Sequence, residues 1–523
     1  MSGTSLPRFI GQLLAAAGAV GPEPFRLLIT GQIGTSGTAV GGATVKDVES
    51  KTNAEIEGLF GVNSDLTNRI FKARAKALGR FSIWVIGKDP AAGTAASAAL
   101  AYAGAATEAR NMVVRPISQK QFSFIIPVAI GDSANDVAVA VKAKIDALDT
   151  NFPSTNVLAV DTLTLTAVDL GTIGNKYTVE HLDIPAGITV NTNVSADKVQ
   201  FTSGATDPSL VGLFDNVTST RFHTILYPWE SDFQEVEDFL NPRNVINNNF
   251  LQGVAFIGFD DTEANIKSKV NGGTPLNSQN LFFMGNRVAS GVAAIVEPPD
   301  WRTAEFAAIE GLRLTDGVPI GEFITTSAPL DSIGGPGSAS LAYYNTPLSA
   351  TAAVDPDVLF DETEQQNLGS DGYTIIGVNP SATDSIMAEV ISTYKKNTLG
   401  NDDVSFKFLN FIRTSYLAFE IFFRTLKADY AQSRLTEGDL VPGRAIANAD
   451  SIKANYAKIY KTLSGPDFTL TQAGSDAEAY FFQNLTLTTD LANGRVTSSN
   501  QLPIVTQIRE FIVTMQISFS IGG

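Results

Sequence analysis

The chain has no cysteine and only two histidines, His181 and His223, among its 523 residues. The first absence excludes disulfides, a thiolate nucleophile, Cys-ligated zinc and iron-sulfur clusters. The second removes most metal-site and general-base patterns, since neither H-E-x-x-H nor two histidines at ligand spacing can be written. Basic charge is also scarce. The 37 Lys and Arg against 54 Asp and Glu give a formal charge of -17, which disfavours nonspecific binding to nucleic acid, where many phosphates must be neutralised. Long apolar runs are few: Phe9 to Val20 resembles the apolar region of a signal peptide but is too short to cross a bilayer. Pro22 and Pro24 then break the chain, so we read an N-terminal arm there, with a secretion signal as the alternative, and expect no membrane insertion. The loop Gly31 to Gly37 (GQIGTSG) has neither G-x-G-x-x-G spacing nor a G-K-[ST] ending, which speaks against a phosphate site. No cofactor, metal or catalytic set is expected.

What the chain does have is a well-built end. Between Glu510 and Ile521, Phe511, Val513, Met515, Ile517, Phe519 and Ile521 share one parity and polar residues hold most of the other, the signature of a half-buried strand. Burying large side chains at roughly 1.5 to 3 kcal/mol each nearly cancels the ordering cost of about 1 to 2 kcal/mol per residue. Such a strand is stable only inside a sheet, either that of its own domain or a neighbour's.

Upstream, Phe25–Thr30 reads as a buried strand, Ser64 opens a helix running to Leu78, and Phe81–Ile86 is a second strand, an α/β grammar. On that helix Arg69, Lys72, Arg74 and Lys76 read as largely outside the apolar side. From Asn111 to about Thr206 the composition turns Thr/Val-rich, with short alternating segments at Phe122–Ile130, Leu158–Ala167, Lys176–Glu180, Ile188–Asn191 and Lys198–Thr202, and one helix, Ser133–Leu148. From Arg221 strands at Phe222–Tyr227, Gly253–Phe259 and Asn280–Arg287 alternate with helices at Asp232–Leu240, Thr262–Val270 and Thr303–Leu312, predicting a doubly wound, mainly parallel sheet. Tyr373–Val378 and Ser385–Tyr394 are strand-like. A long helix then places Phe408, Ile412, Tyr416, Phe419, Phe423, Leu426 and Tyr430 on one stripe. Another, near Asp450–Leu463, turns Ile452, Tyr456 and Ile459 inward, and Leu485–Thr489 precedes the end.

The succession VLFDETEQQNLGSDGYTIIGVN (Val358 to Asn379), AEVISTY (Ala388 to Tyr394) and FLNFIRTSY (Phe408 to Tyr416) resembles the C-terminal half of contractile-tail sheath proteins of myoviruses, particularly the Mu-like branch. RFHTILYPW (Arg221 to Trp229) and LTLTAVDLGTIGNKY (Leu163 to Tyr177) resemble that family's middle α/β domain and outward insertion, and the closing strand resembles its last one. The chain departs from the family where Ser392 and Thr393 stand for its usual T-T, and in an N-terminal arm with no alignable motif.

The resemblance implies an α/β and α+β multidomain chain. Its expected parts are an arm at 1–24, the N-terminal part of an inner α/β core at 25–110, and a mostly β outer insertion at 111–206. A doubly wound, subtilisin-like middle domain without a catalytic triad follows at 207–365, then a C-terminal polymerisation module at 366–523 whose donor strand, 510–521, is exchanged between subunits. It also implies a structural virion protein of the tail sheath and not an enzyme. That protein would be assembled in the host cytoplasm as stacked hexameric rings around a tail tube protein, meet baseplate and tail terminator or neck proteins, and contract for genome ejection. His223, inside an apolar strand, reads as a core residue. Lys453, Lys458 and Lys461 are candidates for facing acidic groups on the tube, the alternative being a solvated face. Two other classes remain open from the residues alone: a two-carboxylate glycoside hydrolase, whose chemistry needs neither His, Cys nor metal, and a self-assembling surface-layer protein.

Overall fold

The computed structural model describes residues 24–116, 122–148, 152–193, 197–244, 251–271, 276–287, 297–315, 346–348, 359–378, 385–387, 389–430, 433–440, 445–464, 473–490 and 495–499. The arm up to residue 23 and the closing strand 510–521 lie outside the described residues.

Strand β1 (Arg26–Gln32) buries Leu27 and Ile29 in one cluster and Leu28 in another, as an apolar run must when it pairs on both edges of a covered sheet. The short β2 (Thr44–Val45), helices α1 (Asn53–Phe60) and α2 (Asp65–Ala77) and strand β3 (Ser82–Lys88) follow. The Ser64 hydroxyl accepts from the Thr67 amide and starts α2; Leu78 ends it in the left-handed region, φ 50°.

The chain then leaves the sheet as β4 (Ala95–Gly104), β5 (Arg110–Arg115), β6 (Phe124–Val128), α3 (Ala134–Asp146), β7 (Ser154–Ala159), β8 (Thr162–Leu170), β9 (Thr178–Leu182), β10 (Ile188–Val190) and β11 (Lys198–Gln200). These make two four-stranded sheets, β10-β4-β8-β7 and β11-β9-β5-β6. The outer module therefore recruits β4, which lies before the composition shift at Asn111; β4 is Ala-rich, so its membership left no Thr/Val signal. The segment read as one strand, Leu158–Ala167, is a hairpin, because Val160 turns the chain at φ 57°.

Back in the core come β12 (Thr224–Leu226), α4 (Phe233–Leu240), β13 (Val254–Gly258), α5 (Glu263–Asn271), β14 (Leu281–Gly285), α6 (Pro299–Thr315), β15 (Thr346–Leu348), α7 (Glu362–Asp371), β16 (Tyr373–Val378) and β17 (Ser385–Met387). They join β1 to β3 in one nine-stranded sheet, ordered β15-β17-β16-β14-β13-β12-β1-β3-β2. The run from β16 to β3 is parallel and the edges are antiparallel. One face carries α2 and α6, the other α4, α5 and α7. The expected doubly wound sheet is thus present, with the N-terminal strands β1, β3 and β2 at one end of it. Gly311 lets α6 approach closely, since a Cβ there would meet the Phe25 and Phe81 rings at 2.6 and 2.7 Å.

Two readings need correction. Arg69 is buried, at 1% exposure, and its Nε meets Asp65 Oδ2 at 2.7 Å. Lys72 and Lys76 are half-buried and pair with Glu297 and with Glu305 on α6. The basic side of α2 is covered in pieces: Arg69 also bonds the Thr30 carbonyl of β1, Lys72 and Lys76 lie along α6 and the residues before it, and Arg74 bonds Asn53 and the Lys51 carbonyl. Secondly, the strand read over Ser385–Tyr394 stops at Met387. Thr393 is held by side-chain bonding instead: its hydroxyl donates to the Ser278 carbonyl at 3.1 Å and accepts from the Ser278 amide at 3.0 Å.

Helix α8 (Leu409–Tyr430) carries the chain out of this core. Ile412 and Tyr416 pack in the core, while Ala418, Ile421 and Phe422 belong to a separate cluster. That cluster is built with β18 (Arg434–Leu435), β19 (Ile446–Ala447), α9 (Ala449–Leu463), α10 (Ser475–Gln483), β20 (Thr486–Asp490) and β21 (Arg495–Ser499). The buried stripe rotates along α8 as its partner changes, so Phe419 of the expected stripe is only half-buried.

Buried ion pairs fix the polar side of α8. Arg413 Nε meets Glu310 Oε1 at 2.7 Å and Arg221 Nη1 meets Glu420 Oε2 at 2.6 Å, all four side chains being at most 5% exposed. Removing one partner strands the other charge. Glu310→Ala is expected to destabilise the protein by about 3 to 5 kcal/mol, read as a drop in the urea midpoint; an unchanged midpoint would mean that Arg413 finds solvent.

Candidate functional site

Parallel α/β sheets bind ligands in the crevice at the carboxyl ends of their strands, where the winding reverses. Here it reverses between β1 and β12, since β3 lies on one side of β1 and β12, β13, β14 and β16 on the other. The outer module is inserted in the β3-to-β12 crossover and sits over those ends. Gln32, at the end of β1, donates from Nε2 to the Leu170 carbonyl at 2.9 Å.

Lys176, just before β9, closes the crevice. Its Nζ donates to the Pro228 carbonyl at 2.7 Å, the Gly258 carbonyl at 3.1 Å and Asp300 Oδ2 at 2.7 Å, with Glu230 Oε1 at 3.5 Å. Burial works against this ammonium, but Asp300 and Glu230 outweigh it and hold the pKa above the ordinary lysine value. Burial pushes the Asp300 carboxyl up to about 6 despite Lys176. Glu230 is held below its ordinary value because Lys176 and Lys269 together overcome its burial. Gly258 permits the close approach of α6, where a Cβ would lie 2.6 Å from the Pro299 carbonyl.

A second group adjoins it. Asp65, at the start of α2, receives the Trp301 indole N–H at 2.8 Å and the Tyr177 hydroxyl at 3.4 Å, and its own amide donates to Asp169 Oδ2 at 2.6 Å. Trp301, though on α6, is buried in the outer module's apolar cluster. The seam is therefore one aromatic anchor ringed by charge.

A cleft of about 480 Å³ remains beside the seam, lined among others by Lys176, Glu230, Asp260, Lys269 and Arg287. Its carboxylates are engaged, Glu230 by Lys176 and Lys269 and Asp260 by Arg302. The carboxyls raised furthest into the neutral range, Asp300 and Asp169, are sealed within the seam. That arrangement clamps two parts of a chain together rather than presenting an acid and a base to a sugar.

Both histidines are structural. His223 Nδ1 accepts from the Arg26 amide at 3.2 Å, beside the Phe25 ring at 5.1 Å, and burial holds its pKa well below the ordinary value. His181 Nε2 lies 2.9 Å from the Tyr102 hydroxyl and burial brings its pKa down to about 4. Among the described residues no group of acidic side chains and histidines could hold a metal ion, and no helix is long and apolar enough to cross a membrane.

Of the surface residues singled out in the sequence, Lys453, Lys458 and Lys461 are all exposed on α9, whose opposite side buries Ile452, Tyr456, Ile459, Tyr460 and Leu463. Lys461 Nζ lies 3.3 Å from Glu478 on α10. Phe511, Val513, Met515, Ile517, Phe519 and Ile521 lie outside the described residues. The seam residues Lys176, Asp300, Asp65, Asp169 and Trp301 were not singled out, because a lone lysine in a G-N-K segment carries no signal until its partners are folded around it.

No family model and no curated protein matches the chain. Among solved structures it is similar to the sheath tail protein Lin1278 from Listeria innocua, at 9% identity and TM-score 0.44 over 96% of this chain and 97% of that one. It is also similar to the sheath tail protein DSY3957 from Desulfitobacterium hafniense, at 10% identity and TM-score 0.41 over 93% of this chain and 99% of that one. The contracted helical sheath of the anti-feeding prophage is similar at 14% identity and TM-score 0.33, over 63% of this chain and 79% of that one.

Lys176→Met would leave Asp300 without its cation and Glu230 with Lys269 alone. The expected loss of stability is about 3 kcal/mol near neutrality and smaller in acid, where protonation of the carboxyls removes the uncompensated charge. Thermal unfolding at about pH 5 and about pH 8 checks this; equal losses at both would contradict it.

Proposed function

We propose that this chain is the structural subunit of a contractile tail sheath, polymerising as stacked hexameric rings around a tail tube and contracting to drive the tube through a cell envelope. The observation that carries the reading is the ordered succession of sheath-like segments, together with where each falls. Arg221–Trp229 contains β12, beside the sheet's centre; Leu163–Tyr177 lies in the outer module and ends on the seam; Val358–Asn379 spans α7 and β16; and Phe408–Tyr416 begins α8, which joins the core to the C-terminal cluster. Two of the four fall where parts of the chain meet, Leu163–Tyr177 at the seam and Phe408–Tyr416 where α8 leaves the core. On this reading the core is a subtilisin-like sheet whose ligand crevice has been given over to docking the insertion.

The C-terminal cluster suits polymerisation. Its hairpin β20–β21 is a two-stranded sheet, and two-stranded sheets are marginal in water without further strands or packing. Leu485 and Leu487 give it packing on one side. Strands of neighbouring subunits, including 510–521, would extend it. The virion tail is then the site of the protein, with baseplate and neck proteins at the ends of the polymer.

Removing residues 510–523 is expected to leave a soluble, folded subunit that sediments as a monomer where the full-length chain forms polymer. A truncated chain that melts or aggregates would place the strand in its own domain and sink the exchange.

The tube would be gripped by the exposed lysines of α9. Each exposed pair is worth only about 0.2 to 1 kcal/mol, but rings repeat the term along the tail. Changing Lys453, Lys458 and Lys461 together to Glu should abolish co-assembly with tube protein at low salt while leaving empty polymer; tube-filled tails as in the parent would rule these residues out.

A further inference from the structure

The outer module is joined to the core covalently by one neck alone, where the outgoing and returning chains pair as an isolated bridge. The Thr94 amide donates to the Ala205 carbonyl at 3.1 Å and the Ala205 amide to the Thr94 carbonyl at 3.1 Å. Thr94, Ala205 and Thr206 are exposed. Among the described residues the module's position is otherwise fixed by the seam, which is mostly polar. Polar, charged interfaces between domains of one chain open more readily than apolar ones.

Within it Asp169, near the end of β8, is 1% exposed and presses against the start of α2. Its Oδ2 accepts from the Asp65 amide at 2.6 Å, whereas its Oδ1 is buried and has no hydrogen-bond partner. The charged and titratable groups facing it are Asp65 and Arg69 from α2, and Tyr177 from the turn before β9. Lys176 and Asp300 complete the buried set, both acting with Asp65. Arg69 Nε is bound to Asp65 and its Nη1 to the Thr30 carbonyl at 2.7 Å, while its Nη2 is buried without a hydrogen-bond partner and makes no bond to Asp169 Oδ1. With Asp65, Asp169, Asp300 and Glu230 all ionised, four negative charges face the three positive charges of Arg69, Lys176 and Lys269. With Asp169 protonated the charges balance.

The geometry points to a proton-gated hinge: the outer module seals onto the core when Asp169 carries a proton, and loosens about the Thr94–Ala205 neck when that proton is lost. This concerns the single subunit and does not depend on the sheath reading. Burial, with Asp65 next in effect, raises the Asp169 carboxyl from 3.8 to about 7. The docked form therefore binds more protons than the undocked form between those two values. Docking is tightest below that window, weakens as pH rises through it, and is flat above about 7. Asp300, raised to about 6, acts in the same direction.

The test is hydrogen exchange of the full-length chain, followed by mass spectrometry on peptides covering 65–69 and 169–177 and corrected for intrinsic exchange. In the parent, protection should fall by at least ~tenfold per unit between about pH 5 and about pH 7. Asp169→Asn keeps the acceptor for the Asp65 amide and removes the charge, so it should be better protected than the parent at about pH 8 and lose one proton's worth of slope. Asp65→Asn should move the pH at which protection levels off below that of the parent. The hinge is overturned if Asp169→Asn retains the parent's slope, is less protected, or fails to fold, or if Asp65→Asn leaves the levelling-off pH in place.

Discussion

The ammonium of Lys176 is buried where three parts of the chain meet, and the arrangement of the subunit depends on satisfying it. It comes from the outer module, takes carbonyls at the ends of β12 and β13, and pairs with a carboxylate at the start of α6. A buried charge of this kind is poorly replaced: its burial is tolerable only while every partner stays in place. That requirement fixes the outer module over the carboxyl ends of the parallel strands, the one region of such a sheet normally kept open for ligand. Closing the crevice with charge rather than hydrocarbon makes the seam sensitive to the protonation of its buried carboxyls.

The core sheet explains why the chain can carry so large an insertion. Its winding reverses at β1, with β3 on one side and β12 on the other, and both pairings are parallel. A parallel neighbour needs a crossover in any case, so the link from β3 to β12 can hold a whole module without disturbing the register. Helix α8 does the corresponding work at the other end. Its first turns belong to the core and its middle to the C-terminal cluster, with Arg413 and Glu420 each paired to core residues. Two modules are thus joined to one sheet by different physics, a polar seam on one side and a continuous helix on the other.

Much of this was legible in the residues. Apolar runs such as Phe25–Thr30 and Gly253–Phe259 read as covered strands, and Ser64 opens α2 because capping is local chemistry. What could not be read is whatever a distant partner decides. Arg69 looked solvated because a sequence cannot show β1 and the outer module's Asp169 packed against it. Val160 adopts a backbone conformation its side chain disfavours, so the β7–β8 turn had no local signal. Ser392 and Thr393 resembled a strand end, whereas their hydroxyls bind a loop instead. The seam was invisible for the same reason: Lys176, Asp169 and Asp300 are ordinary surface residue types made special by burial.

The measurement that bears most directly on the central claim is electron microscopy of the purified full-length chain with its tube protein, taken to a helical reconstruction. The account predicts striated tubes of uniform diameter with six subunits per ring, the outer module at the largest radius and α9 at the smallest. Planar arrays, or dispersed monomers that ignore the tube, would contradict it.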